Sequence, residues 1–67
     1  MAGSYVSFDD GYLLGDGSSA GASETPADLY DAANEAKDKG KVFIPITVGS
    51  NTLYINVDHV RWFEPKP

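Results

Sequence analysis

His59 is the only histidine of this 67-residue chain, which has no cysteine. A zinc site made of His and Cys ligands is therefore excluded within one chain, and a Ser-His-Asp arrangement would depend on His59 alone. The sequence shows no partner for this side chain. We therefore expect His59 to be a solvated or hydrogen-bonded residue of a turn, and we predict a protein with no metal and no cofactor that is not an enzyme.

Two glycine-containing patterns could bind an ion or a nucleotide, but neither has the required spacing. Asp9, Asp10 and Asp16 stand among glycines, yet they lack the alternating oxygen ligands and the closing glutamate of a calcium loop. Gly15 and Gly17 are not followed by the third glycine and the helix start of a dinucleotide loop. We predict neither kind of site.

The aromatic residues carry the stronger indication of function. Large rings and arginine are the favoured anchors of protein interfaces. The alternative is that the rings fill the second side of a thin sheet, although a domain of this size can hardly bury four of them. The predicted interface residues are Trp62, Phe63, Tyr54, Phe43 and Arg61.

The charge of the chain limits its partners. With ten acidic and five basic residues, the formal net charge is −5, which argues against binding along a phosphate backbone or an anionic membrane. No apolar run is long enough to span a bilayer, and the N-terminus has neither the basic nor the apolar region of a secretory signal. We expect a cytoplasmic or virion-associated protein whose partner is another protein or a second copy, with no nucleic acid and no membrane.

Residues 41–57 read as a β-hairpin, because aliphatic residues alternate with polar and aromatic ones on both sides of Gly49-Ser50-Asn51-Thr52. A loop at Gly49-Ser50 pairs Ile44 with Ile55, whereas a loop at Ser50-Asn51 pairs Ile46 with Ile55. Both registers keep the aliphatic side chains on one face. Pro45 cannot donate a ladder hydrogen bond, so it predicts an edge strand or a bulge.

Residues 26–39 are predicted to form a helix, with Thr25 as N-cap, Pro26 in the first turn and Gly40 after the end. Leu29 and Tyr30 must supply most of the apolar volume, since the rest of the apolar stripe is alanine. We expect Leu29, Ala33 and Ala36 to lie over Ile44, Ile46, Leu53 and Ile55. The opposite face is acidic and includes Asp28, Asp31, Glu35 and Asp38.

The flanking segments complete a single α+β domain in which one helix packs on a small antiparallel sheet. Residues 1–14 form either a hairpin turning at Asp10-Gly11, with Phe8 opposite Leu13, or an extended arm. Residues 15–24 are a flexible Gly/Ser linker, too small and polar to pack, and residues 25–67 contain the helix and hairpin core. After a turn started by Asp58, we expect a short strand over residues 61–64.

The stretch from Ile44 to Glu64, IPITVGSNTLYINVDHVRWFE, resembles the opening strand, glycine turn, strand and acidic turn of LytTR-type DNA-binding domains. It is also similar to part of the small FlbD-like flagellar proteins. The basic DNA-contacting loops of a LytTR domain have no counterpart, so no functional residue is carried over. The matched positions are Ile44, Val48, Gly49, Tyr54, Asn56, Asp58, Val60 and Glu64.

Three functions follow from these observations. The first is a non-enzymatic interaction or assembly module that forms a homo-oligomer through sheet edges and exposed aromatics, because so short a chain rarely builds a self-sufficient core. The second is an acidic inhibitor or nucleic-acid mimic, phage-encoded for example, that binds a basic protein site through the acidic helix face. The third, implied by the resemblance, is a small transcriptional or flagellar regulator.

Overall fold

The computed structural model describes residues 3–16 and 20–66. It contains one helix and five strands and confirms the α+β class. In chain order the elements are β1 (Ser4–Phe8), β2 (Leu13–Leu14), α1 (Pro26–Asp38), β3 (Phe43–Val48), β4 (Asn51–Asn56), a 3₁₀ turn (Val57–His59) and β5 (Val60–Pro65).

The strands form two antiparallel sheets. One has the order β2-β1-β5, and the other is the β3-β4 hairpin. The predicted terminal strand is therefore present, but it pairs with the N-terminal strand, with Val6 opposite Phe63, and not with the hairpin. This long-range pairing places the two ends of the chain side by side.

The β3-β4 hairpin adopts the first of the two registers, with Ile44 opposite Ile55. Gly49 has a φ of 62° while no residue other than glycine has a positive φ in the described chain, as expected for a two-residue type II′ turn at Gly49-Ser50. Pro45 pairs regularly with Tyr54, and β3 has no second strand neighbour. The prediction of an edge strand at Pro45 is confirmed.

Helix α1 has the predicted caps and ends one residue earlier than expected. The Thr25 hydroxyl accepts from the Asp28 N–H at 3.2 Å. Gly40, with a φ of 71°, follows the C-cap residue Lys39, and the Lys41 N–H donates to the Ala36 carbonyl at 2.8 Å. The left-handed Gly40 and the Lys41–Ala36 bond form the Schellman arrangement at the C-terminal end of the helix. In this arrangement a glycine in the left-handed region lets the chain turn back over the last helical turn.

The core lies between α1 and both sheets. Leu29 and Ile46 are essentially inaccessible to solvent. Two expectations about this core are wrong, because Leu53 is 43% exposed near the hairpin end and Tyr30 is 62% exposed. The missing volume comes from other elements, since the buried apolar residues are Val6, Leu14, Ala22, Leu29, Ala36, Ile44, Ile46, Ile55 and Val57.

The N-terminal segment forms the hairpin alternative, in a different register from the one predicted. Ser7, not Phe8, lies opposite Leu13. The Gly11 N–H donates to the Phe8 carbonyl and the Phe8 N–H to the Tyr12 carbonyl, so the loop has three residues. Gly11 has a φ of 92° and takes the left-handed position that such loops require.

The segment before the helix packs more closely than its composition indicated. Residues 17–19 of the predicted linker lie outside the described residues. Ala22 is buried and exchanges two backbone hydrogen bonds with Ser4, and a Cβ on Gly21 would lie 2.4 Å from the Ser4 carbonyl oxygen. The expectation that this stretch cannot pack is therefore wrong at Gly21 and Ala22, where small side chains permit close contact with β1.

Asp58 does not start the turn before β5. The Asn56 side chain accepts from the Asp58 N–H at 2.9 Å and caps the 3₁₀ turn. Asp58 is exposed. The turn is in the predicted region, but its capping side chain stands two residues earlier.

Candidate functional site: a groove and an exposed hairpin face

An apolar groove of about 580 Å³ is lined by residues of α1 on one side and of β5 on the other. The helix presents residues of successive turns to it, because positions three and four apart share one helical face. Tyr30 contributes the largest side chain of this wall. The residues of the helix wall are Pro26, Ala27, Tyr30, Ala33, Asn34 and Lys37.

The opposite wall follows the chain from the 3₁₀ turn into β5. Ser7 lies opposite Trp62 and Phe8 opposite Val60, so Arg61 is an extra residue that forms a β-bulge. Bulges change the direction of a side chain relative to the regular alternation. The residues of this wall are Val57, Val60, Arg61, Trp62 and Phe63.

The charge of the groove differs from that of the whole chain. Its lining contains Lys37 and Arg61 and no carboxylate, although the chain has twice as many acidic as basic residues. The Arg61 guanidinium lies 4.8 Å from the centroid of the Trp62 ring. Within residues 3–16 and 20–66, neither Lys37 nor Arg61 forms an ion pair with a carboxylate.

Three of the five predicted interface residues, Arg61, Trp62 and Phe63, meet in this groove. Trp62 is 45% exposed. The other two, Phe43 and Tyr54, are exposed on the outer face of the β3-β4 hairpin, where Tyr54 is opposite Pro45. The predicted interface residues therefore belong to two surfaces.

The acidic residues of α1 form a third exposed feature. Lys39 is 2.8 Å from Glu35, one helical turn away, and this contact lowers the pKa of Glu35. The helix thus balances part of its own charge. The residues predicted as the acidic helix face, Asp28, Asp31, Glu35 and Asp38, are all exposed.

His59 has a partner that the sequence did not reveal. Its Nδ1 lies 2.9 Å from a carboxylate oxygen of Asp9, in the loop between β1 and β2. The hydrogen bond to Asp9, followed by the negative charges of Asp9, Asp58 and Asp10, raises the pKa of His59. Both members of the pair are exposed, and this arrangement links a surface loop to the 3₁₀ turn.

Glu24 is the other acidic residue with a perturbed environment. Burial raises its pKa, but hydrogen bonds from its own backbone and from the backbone and hydroxyl of Thr47 outweigh that effect, so the pKa lies below its ordinary value. Its carboxylate accepts from the Thr47 N–H at 3.0 Å. Its carbonyl accepts from the buried Ser4 hydroxyl at 2.7 Å. Glu24 therefore connects β1 to the outer edge of β3.

Among the described residues, no group of three or more His, Cys, Asp or Glu side chains is arranged to hold a metal ion. Over the same part of the chain, no helix has the length and apolar character needed to cross a bilayer.

In comparisons with protein families, with curated proteins and with solved structures, the chain has no significant match. The resemblance of residues 44–64 to LytTR-type domains and FlbD-like proteins therefore stays a prediction.

The sequence did not predict the helix wall of the groove. The sequence predicts Tyr30 as a core residue, because the alanine-rich stripe of the helix needs volume from Leu29 and Tyr30. A usable signal existed, since Ala27, Tyr30 and Lys37 recur at helical spacing beside the core stripe. Whether these residues line a groove depends on the position of β5, which the local sequence pattern does not reveal.

Proposed function

We propose that this chain is a small, acidic, non-enzymatic protein–protein interaction module that forms a homo-oligomer through its sheet edges and exposed aromatic residues. The observation that carries the proposal is the outer face of the hairpin. Phe43 is 55% and Tyr54 69% exposed on that face. Aromatic side chains of this size contribute most to affinity when an interface removes them from water.

The architecture of the hairpin also supports self-association. Within the described residues, β4 pairs with β3 alone, so its other edge carries unpaired backbone groups. Strand edges of this kind pair readily with another chain. Leu53, 43% exposed on β4, adds apolar surface beside that edge.

Light scattering over a range of protein concentrations tests the proposal. We expect the wild-type chain to show the mass of an oligomer, and the double variant Phe43→Ser/Tyr54→Ser to show the mass of one chain with an unchanged circular dichroism spectrum. Tyr12→Ser is the matched control, because Tyr12 is 54% exposed and is not a residue of β3 or β4. A wild-type chain that stays monomeric at all concentrations would refute the homo-oligomer.

The exposed acidic face of α1 supports a second candidate, an acidic inhibitor or nucleic-acid mimic that occupies a basic protein site. Asp28, Asp31 and Asp38 project from one helix without a cationic partner among the described residues. Binding through exposed charges weakens steeply with salt. Capture of a partner from the native host at low salt, lost at high salt and in Asp31→Asn/Asp38→Asn, would favour this candidate over an aromatic interface.

A further inference from the structure

We infer that the groove between α1 and β5 binds an extended segment of a partner protein that carries apolar side chains and at least one carboxylate, and that this segment pairs with the free edge of β5. The inference rests on the proposed function as an interaction module. It adds a second site and the chemistry of its occupant.

The groove runs along a strand edge. Successive side chains of a strand point to opposite faces. Trp62 and Phe63 follow the bulge in regular register, so a space that contacts both of them extends along the strand edge. Within the described residues, β5 pairs with β1 alone. The other edge of β5 therefore carries backbone N–H and C=O groups that no described strand pairs with.

An edge bordered by an apolar groove suits the addition of one strand. An extended peptide bonds its backbone to the edge and places alternate side chains in the adjoining pocket. Pro65 has no N–H to donate and ends the usable edge. A segment of about four to six residues matches the strand, since extended chain advances about 3.3 Å per residue.

The charges of the lining select the occupant. Lys37 and Arg61 face the groove from opposite walls, without a carboxylate in the lining, while Tyr30 and Trp62 supply aromatic surface. A carboxylate on the bound segment would pair with one or both of these exposed cations through charge-assisted hydrogen bonds, which are stronger than neutral ones. A basic segment would face two like charges, so the groove disfavours it.

Selection from a displayed library of random ten-residue peptides, with the full chain as bait, tests the inference. We expect enriched peptides to combine alternating apolar residues with Asp or Glu. A synthetic enriched peptide should then shift the backbone amide signals of β5 and the indole N–H signal of Trp62 in NMR spectra. No enrichment, or enrichment of basic peptides, would overturn the inference.

Charge-reversal variants give the sharper comparison. We expect Lys37→Glu and Arg61→Glu each to weaken binding of the enriched peptide about ten-fold or more. Lys41 is an exposed cation outside the lining, so Lys41→Glu should change the affinity for the peptide by no more than about two-fold. Amide spectra of each variant establish that it is folded. Equal affinity of Lys37→Glu and wild type would contradict the inference.

Failure of this inference is separable from failure of the proposed self-association. Light scattering on the same samples reports the oligomer, which depends on Phe43 and Tyr54 in the proposal above. If the β5 amide signals shift with protein concentration and without peptide, a second copy occupies the groove and the partner-segment inference is wrong.

Discussion

At the scale of single residues, Glu24 is an acidic residue that bonds to two strands, β1 and β3. It accepts from the Thr47 N–H and hydroxyl while its carbonyl accepts from Ser4, which is completely buried. Hydrogen bonds to a charged group stabilise a fold more than neutral ones do. The carboxylate therefore holds the segment before α1 to the hairpin, while the backbone carbonyl of the same residue joins that segment to the N-terminal strand. Nothing in the polar, glycine-rich sequence around Glu24 indicated such a role.

We expect Glu24→Ala to lower the free energy of unfolding at neutral pH by about 1.5–3 kcal/mol, measured by urea denaturation. The folded-state pKa is lowered from 4.5, so the contribution of the ionised carboxylate is present above pH 4.5 and is lost as the pH falls through the folded pKa. The difference between wild type and variant should therefore shrink in acid. Asp31→Ala, at an exposed helix position, is the control and should lower the free energy of unfolding at neutral pH by much less than Glu24→Ala does.

His59 gives the opposite pH dependence. Its pKa is raised from 6.5 by Asp9, so its contribution to stability is complete below pH 6.5 and is lost as the pH rises through the raised folded pKa. We expect an NMR titration of the imidazole to show a pKa above 6.5 in the wild type and a value closer to 6.5 in Asp9→Asn. Asp38→Asn should leave the titration unchanged, and an equal pKa in wild type and Asp9→Asn would show that the contact does not persist in solution.

At the scale of elements, the capping residues of α1 determine where the helix begins and ends. Thr25 and Gly40 set the boundaries, and the alanine-rich stripe between them lets the helix approach the hairpin and leaves space beside β5. Only Leu29 and Ala36 of the helix are buried. The groove is therefore a consequence of how little of the helix surface the core requires.

We expect Gly40→Ala to lower the free energy of unfolding by about 1–2 kcal/mol, because a Cβ disfavours the left-handed conformation. The space around Gly40 is open, with no atom within 4 Å of an added Cβ, so the change reports backbone conformation and not a clash. Gly40→Asn should cost less, since asparagine tolerates this region better. Urea denaturation of the three proteins measures the difference, and equal stability of Gly40→Ala and wild type would contradict this account of the cap.

At the scale of the whole molecule, the N-terminal strand β1 and the C-terminal strand β5 pair within one sheet. Val6 is fully buried opposite Phe63, so the N-terminal strand supplies core volume that the alanine-rich helix lacks. Trp62, on the same terminal strand, stays 45% exposed. The fold thus buries one of the two adjacent terminal aromatics more deeply than the other and presents Trp62 to the groove.

The sequence by itself determined the elements whose signals are local. The alternation of aliphatic with other residues over 42–48 and 53–57 predicts the hairpin, and the turn residues Gly49-Ser50 allow its register. Thr25 and Gly40 mark the ends of the helix. These signals are local because side-chain periodicity and capping act over a few residues. Only the tertiary structure decided that β5 pairs with β1, that Ala22 packs beside Ser4, and that Arg61, Trp62 and Phe63 face a groove while Phe43 and Tyr54 do not. Those outcomes depend on contacts between residues far apart in the chain, where several pairings satisfy the same local pattern and the best burial of the whole chain selects among them.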